Sequence, residues 1–185
     1  MRRSFVLAGI GIVAAVAAAA AFATPTLARN ETPKAQQAAA SKQKAFIREA
    51  IQGNLAEIDM GKLAQRRSGN EAVKAFGRML VEDHSAANEK ARKVAQDLKA
   101  TPPSRPGLKE RAVYAKLALL RGATFDRQFA KEMVSDHRND IAAFRAQAQG
   151  GTEPTASMAK EVLPTLEKHL AAAQRLQTEV TAQKR

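Results

Sequence analysis

The chain of 185 residues contains no cysteine and no tryptophan, and it has only one tyrosine. Without cysteine, the protein has no disulfide, no thiolate metal site and no thiol nucleophile. The sequence also lacks a glycine-rich phosphate loop, a serine nucleophile elbow and a serine-histidine-aspartate spacing. No segment alternates between apolar and polar residues as a half-buried strand does. These absences exclude several enzyme classes and predict an all-α protein.

The N-terminus has the three zones of a secretory signal peptide. Arg2 and Arg3 supply positive charge, residues 5–23 form an apolar run, and Thr26-Leu27-Ala28 is a small-residue exit. We therefore expect residues 1–28 to be cleaved off as a signal peptide. We expect the remaining protein to lie in the periplasm or at the outer membrane.

Other interpretations of this end stay open. Cleavage after Ala23 also satisfies the small-residue rule, and an uncleaved apolar run of this length approaches a membrane span. Arg2, Arg3 and Phe5 are similar to the twin-arginine export motif, so both the Sec and the twin-arginine routes fit the sequence.

Basic residues dominate the charge of the chain. The net charge is +12, and +10 remains after loss of the two arginines of the signal peptide. Such a charge favours anionic partners, for which components of the cell envelope are the candidates. We expect no nucleic acid partner, because the protein is exported and its few aromatic residues lie in helical stripes rather than among basic residues.

Apolar residues recur with helical period through the rest of the chain. We expect a flexible leader over residues 29–41 and one helical domain over residues 42–182. The predicted helices cover about 41–67, 71–100, 108–121, 125–149 and 154–182. Asn70 and Thr124 are the predicted N-caps. Because short breaks join the long helices in pairs and a proline-rich stretch separates the pairs, we predict an antiparallel four-helix bundle with a short extra helix in the crossover.

Three histidines, His84, His137 and His169, are the most informative polar residues. Each lies three or four residues from apolar residues of its own helix, and each is on a different helix. All three side chains are therefore expected to project into the core of the bundle.

Glu57 is the matching inward polar residue of the first helix. It shares a helix face with Gly53 and Gly61. Glycines at these positions either let a neighbouring helix approach closely or leave room for a ligand.

Asp83 and Asp136 directly precede two of the histidines. Adjacent helix positions differ by about 100° in direction, so we expect these aspartates at the seams between helices. There each one could bind a metal or orient a histidine of a neighbouring helix. The pattern of residues 76–84 also recurs at residues 129–137, through two hairpins of similar design or through the general likeness of amphipathic helices.

Imidazoles and carboxylates from several helices form a ligand set for a first-row transition metal such as Fe, Mn, Zn or Cu. The predicted metal site consists of Glu57, His84, His137 and His169, with Asp83 and Asp136 at its edge. A buried hydrogen-bond network without metal is the alternative. If a metal binds, its affinity should fall as the pH drops through about 6.5, where histidine becomes protonated.

Four stretches carry a family resemblance: FIREAIQGNLAEIDMG at residues 46–61, FGRMLVEDH at 76–84, GATFDRQFAKEMVSDH at 122–137 and LPTLEKHL at 163–170. In this order they resemble the bacterial domain of unknown function 4142 (DUF4142), which is placed in the ferritin-like superfamily. The resemblance covers nearly all of the chain that follows the signal peptide. It implies a ferritin-like bundle in an exported periplasmic or outer-membrane protein, and it supplies no activity.

Ferritin-like metal enzymes carry a Glu on one helix and a Glu-x-x-His motif on the next, in two copies. Glu57 matches the first Glu, but Val81 and Leu166 stand where His84 and His169 would each need an acid three residues earlier. The resemblance therefore implies a mononuclear, altered or lost site rather than oxygen-activating di-iron chemistry.

The leading interpretation is an exported ferritin-like protein, non-enzymatic or of unknown biochemical activity, that binds a metal or acts in envelope stress. The two alternatives are a periplasmic redox metalloenzyme and a metal-free module that docks on anionic envelope components. The sequence identifies no substrate, no reaction and no oligomeric state.

Overall fold

The structure, a computed structural model, describes residues 32–150 and 153–182. Within these ranges the chain forms five helices and no strand, which confirms the all-α prediction. The helices are α1 (Pro33–Arg67), α2 (Glu71–Asp97), α3 (Leu108–Ala118), α4 (Gly122–Ala148) and α5 (Pro154–Ala182). The predicted signal peptide lies outside the described residues. None of the five helices is long and apolar enough to span a membrane.

The four long helices pack as two hairpins. α1 lies along α2, and α4 lies along α5. Only residues 68–70 separate α1 from α2, so these helices run antiparallel. α2 packs on α5 and α1 packs on α4, while the short helix α3 lies against α1 and α4. The predicted antiparallel four-helix bundle with an extra helix in the crossover is confirmed.

Helix α1 begins earlier than the sequence predicts. Residues 33–41, expected to belong to a flexible leader, are helical from Pro33 onward. The hydroxyl of Thr32 caps this helix, because its Oγ1 accepts a hydrogen bond from the Ala35 N–H at 3.4 Å. Proline is favoured at the first helical position, where its missing N–H would have no partner. Pro33 therefore starts the helix instead of interrupting an irregular segment.

The turn between α1 and α2 is fixed by side-chain hydrogen bonds. The Oδ1 of Asn70 accepts from the N–H groups of Ala72 at 2.8 Å and Val73 at 3.3 Å, as its prediction as an N-cap requires. The hydroxyl of Ser68 donates to the Oδ1 of Asp126 at 2.5 Å. This buried contact ties the α1–α2 turn to α4.

The start of α4 differs from the prediction. Thr124 is not the N-cap, because α4 already begins at Gly122 and the cap position belongs to Arg121, whose side chain makes no capping hydrogen bond. Gly122 has a φ of +54°, a conformation that glycine adopts without steric strain. This lets the chain turn directly from α3 into α4. α2 and α3 end at Asp97 and Ala118, sooner than predicted, whereas α5 has its predicted bounds.

Two apolar clusters fill the bundle. The first contains Met60, Leu80, Phe129, Met133 and Ala173, among others. The second contains Ile51, Ala91, Ile141, Val162 and Leu166, among others. Along each long helix, the chain passes from one cluster to the other through a short polar segment, which holds Glu57 on α1 and one of the three histidines on each of the others. The candidate site therefore lies in a polar layer between two apolar layers.

Gly61 and Gly77 allow the backbones of α1 and α2 to approach closely. A Cβ atom on Gly61 would lie 2.5 Å from the Gly77 carbonyl oxygen, and one on Gly77 would lie 2.7 Å from the Gly61 carbonyl oxygen. A Cβ atom on Gly53, in contrast, would meet nothing within 4 Å. The sequence offered two roles for the glycines of α1, and each role applies to one of them. Gly61 permits the close approach of α2, and Gly53 borders open space.

Candidate metal centre

His84 on α2, His137 on α4 and His169 on α5 converge in the polar layer, and all three are buried. Their ring centroids are 5.1 to 5.7 Å apart. One ring nitrogen of each residue lies within 4.8 Å of the corresponding nitrogens of the other two. A single ion with metal–nitrogen bonds of about 2 Å could therefore reach all three after small rotations of the rings.

Each imidazole also has one nitrogen held by an oxygen atom at the edge of the cluster. His137 Nδ1 lies 2.9 Å from its acceptor, the Met133 backbone oxygen. His169 Nε2 lies 2.8 Å from Asp83 Oδ2, and His84 Nδ1 lies 3.0 Å from Asn54 Oδ1. Because carbonyl and carboxylate oxygens accept hydrogen bonds, the nitrogens that face them carry the protons.

These contacts leave His84 Nε2, His137 Nε2 and His169 Nδ1 as the nitrogens that carry lone pairs. His137 Nε2 and His169 Nδ1 are 3.2 Å apart. His84 Nε2 is buried and has no hydrogen-bond partner among the described residues. Lone pairs in such contact repel unless a proton or a cation lies between them. We call the nitrogen that faces an oxygen atom the outer nitrogen of each ring, and the other one the inner nitrogen. A metal-bound histidine usually has this arrangement: an oxygen atom accepts a hydrogen bond from the outer nitrogen, and the inner nitrogen binds the metal.

The buried imidazoles favour the neutral form that binds metals. Burial lowers the pKa of His137 to about 4. The pKa of His84 is lowered well below its ordinary range, mainly by burial and to a smaller extent by repulsion from the other two imidazoles. Burial also lowers the pKa of His169, although its hydrogen bond with Asp83 opposes the shift. These pKa shifts place the competition between protons and a metal at a lower pH than the ordinary histidine value of about 6.5.

Glu57 is buried beside the cluster, but it faces the outer edge of His137. Its Oε1 lies 3.8 Å from His137 Nδ1, the nitrogen that bonds Met133. The pKa of Glu57 is raised well above its ordinary value, mainly by burial and to a smaller extent by repulsion from Asp140 and Asp136. Glu57 therefore lies beside the Nδ1 of His137, and not beside the Nε2 that faces His169.

The two aspartates that precede histidines lie in different places. Asp83 is bonded to His169, so it orients a histidine of a neighbouring helix, one of the two roles expected of it. Asp136 instead lines a cavity of about 90 Å³ that it shares with Glu57 and Asp140. Of the six predicted residues, the structure brings the three histidines together, places Asp83 at their edge, and places Glu57 and Asp136 at the adjoining cavity.

Asn54 and Asp140 lie at the site but were not predicted from the sequence. Asn54 holds His84 and lies three residues before Glu57, so the helical spacing that identified Glu57 also pointed to it. Asp140 lies one turn after Asp136 and lines the same cavity. The same kind of spacing places Asn88 one turn after His84, and its Oδ1 is buried without a hydrogen-bond partner in the described part of the chain.

Asp83→Asn should weaken metal binding by about 10- to 100-fold, because the carboxylate fixes the tautomer of His169 and makes its inner nitrogen more basic. Competition between the protein and a chromophoric Zn²⁺ chelator would measure this loss. Glu82→Gln is the matched control, since Glu82 is the exposed neighbour on the same helix and should leave affinity unchanged. Equal affinities for Asp83→Asn and the parent protein would show that Asp83 does not support a metal ligand.

Asp140 provides a test of the electrostatics around the cavity. Burial, followed by repulsion from Asp136 and Glu110, raises the pKa of Asp140 to about 7. The ordinary aspartate pKa is about 3.9, so between these values the native state holds a proton that the unfolded state has released. Stability is therefore lost as the pH rises through 7. Asp140→Asn should raise the free energy of unfolding at pH 8 by about 1–2 kcal/mol, and the gain should vanish below about pH 4.

Urea denaturation in the presence of a chelator, at several pH values, would measure this gain. Asp97→Asn is the control, because Asp97 is exposed on α2 and lies away from the cavity. A gain for Asp140→Asn that is the same at pH 4 and pH 8 would contradict the electrostatic explanation.

The di-iron pattern of ferritin-like enzymes does not fit these residues. The positions that would carry the acids of its two Glu-x-x-His motifs hold Val81, which is half-buried, and the buried Leu166. The carboxylates near the cluster belong to Asp83, which binds a histidine from outside, and to Glu57, which faces the outer edge of His137. The donor set is instead three imidazole nitrogens, which suits one transition-metal ion rather than a carboxylate-bridged pair.

Taken together, the fold and the site define an antiparallel four-helix bundle with a three-histidine cluster at its centre. The family model described as "Domain of unknown function (DUF4142)" matches residues 28–176. The chain therefore belongs to the DUF4142 family, as the four sequence stretches predicted.

One solved structure with a similar fold is "Crystal structure of DUF305 fragment from Deinococcus radiodurans". It has a TM-score of 0.67 and 13% sequence identity, and the match covers 75% of this chain and 96% of that chain. At this identity the likeness concerns the fold alone. No curated protein matches the chain at a significant level.

Proposed function

We propose that this protein binds one first-row transition-metal ion in the core of its bundle, with His84, His137 and His169 as ligands. The observation that carries the proposal is that one nitrogen of each of the three buried rings lies within 4.8 Å of those of the other two. An oxygen atom holds one nitrogen of each ring, so the other nitrogen carries the lone pair that can bind the ion. A fourth position is left for water or another small ligand, as in other three-histidine sites.

Burial of the site favours a role in holding metal rather than in turning over a large substrate. His137 and His169 have no solvent-exposed surface. The side chain of Asp83 is 28% exposed and bonds His169, so it offers an acidic point of entry for a cation at the surface. Lys168 Nζ lies 3.6 Å from Asp83 Oδ2 and would have to give way as a cation passes.

Calorimetric titration of the chelator-treated protein with Zn²⁺ or Co²⁺ tests the proposal. We expect one saturable site for each chain that requires all three histidines, together with a rise in melting temperature. Absence of saturable binding in the native protein at neutral pH would overturn the proposal, and would leave a buried hydrogen-bond network without metal as the role of the cluster.

We also propose that the protein acts outside the cytoplasm, with its basic surface in contact with anionic components of the envelope. The three zones of residues 1–28 and the net charge support this. We expect the protein from a periplasmic fraction to begin at or near Arg29. N-terminal sequencing would measure this, and an intact Met1 in a membrane fraction would contradict it.

A further inference from the structure

A second group of ligand-forming side chains lies beside the histidine cluster, in the cavity of about 90 Å³ between α1, α3 and α4. Four acidic residues line this cavity: Glu57, Glu110, Asp136 and Asp140. Lys109 is the only basic residue among its lining residues. Among the described residues, none of the four carboxylates has a basic side chain within ion-pair distance except Glu57, which lies near His137.

Glu57 is the most deeply buried of the four acids, with 4% of its surface exposed. Its Oε2 is buried and has no hydrogen-bond partner among the described residues. A buried carboxylate oxygen that lacks a partner is costly, because it has lost its hydrogen bonds to water without replacement. The unpaired oxygen therefore points to a ligand that the protein residues do not supply.

We propose that this cavity is a second cation site, which takes a hard divalent cation such as Mn²⁺ or Mg²⁺. Carboxylate, amide and water oxygens are the ligands that such cations prefer. Asn139 also lines the cavity and adds an amide oxygen. The volume leaves room for an ion with a few waters, since each water takes about 30 Å³. The half-buried Asp136 and Asp140 lie nearer to solvent and would admit the ion.

The oxygen site is distinct from the histidine site. Glu57 faces Nδ1 of His137, whereas the imidazole lone pairs meet at the other edge of that ring. The donor sets differ as well, because three imidazoles favour Zn²⁺ or Co²⁺ and oxygen-only sites favour harder cations. The second site therefore does not depend on metal binding by the histidines.

Electron paramagnetic resonance titration with Mn²⁺ tests this inference, on the folded full-length chain loaded with one equivalent of Zn²⁺. Excess Zn²⁺ is avoided because it would compete with Mn²⁺ for the carboxylate oxygens. We expect one bound Mn²⁺ per chain. Asp140→Asn should weaken Mn²⁺ binding by about tenfold or more, because it removes a charged ligand. Glu49→Gln, at an exposed position on α1, is the matched control and should bind Mn²⁺ as the parent protein does. Lys109→Gln should strengthen binding several-fold, because it removes the competing ammonium group.

Three results would overturn the second site: no saturable Mn²⁺ binding, equal affinity in Asp140→Asn and the parent protein, or weaker binding in Lys109→Gln. Circular dichroism would confirm that each variant is folded. Retention of Zn²⁺ by the Asp140→Asn variant would show that the histidine site is intact, so failure of one site is distinguishable from failure of the other.

Discussion

His137→Ala will abolish the rise in melting temperature that Zn²⁺ produces in the native protein. A metal present at a thousand times its dissociation constant stabilises the native state by about 4 kcal/mol, which is about 10 °C for a domain of this size. His137 supplies one of three ligands, and its Nε2 lies 3.2 Å from the inner nitrogen of His169. Two imidazoles alone cannot hold the ion in the same position. Differential scanning calorimetry with and without Zn²⁺ measures the increment.

The His137→Ala variant will also be less stable without metal, so a control must separate the two effects. Val134→Ala serves this purpose, because Val134 is buried in the first apolar cluster on the same helix. It should lower the melting temperature of the metal-free protein and keep the full metal increment. If the parent protein shows no increment and His137→Ala only lowers stability, by roughly 1–3 kcal/mol, the cluster is a hydrogen-bond network.

Gly61→Ala will destabilise the fold by about 3 kcal/mol, because the added methyl group meets backbone that has no space to move into. Its Cβ would lie 2.5 Å from the carbonyl oxygen of Gly77 and 2.9 Å from the Val81 side chain. α1 and α2 would have to separate at this contact. Glu57 lies about one turn from Gly61 on α1, and His84 lies about two turns from Gly77 on α2. Urea denaturation of the metal-free protein measures the loss.

Gly53→Ala is the matched control for this prediction. It makes the same change in the same helix, but its Cβ meets nothing within 4 Å. Alanine favours a helix over glycine by about 1 kcal/mol, so this variant should be slightly more stable than the parent protein. If both variants were more stable than the parent, the close approach of α1 and α2 would not need glycine.

Helical spacing was sufficient to predict the inward histidines. His84, His137 and His169 each follow an apolar residue by three or four positions, and a side chain in such a stripe must face the core. Asn70 was predictable as the N-cap of α2, because a capping preference depends on one or two residues. Long helices, their order and the central cluster therefore follow from local rules.

The roles of the acids depended on helix rotation, which spacing does not set. Asp83 and Asp136 occupy equivalent places in the repeated pattern, yet one bonds His169 and the other lines the cavity beside Glu57. A rotation of the helix about its axis by a fraction of a turn decides which of these contacts an aspartate makes, because adjacent positions differ by about 100°. The start of α1 was predicted too late for another reason. Thr32 and Pro33 form an N-cap and a first helical residue, but the residues between them and the apolar stripe are polar or alanine and resemble an irregular segment.

X-ray absorption spectroscopy of the Co²⁺- or Zn²⁺-loaded protein reports the atoms bound to the ion, and so whether the three histidines hold it. We expect the ion to be bound by three imidazole nitrogens at about 2.0–2.1 Å, with the multiple scattering typical of histidine. In the His137→Ala variant this imidazole signal should diminish or the ion should be absent. A shell made of oxygen atoms alone would contradict the claim that the three histidines hold the metal.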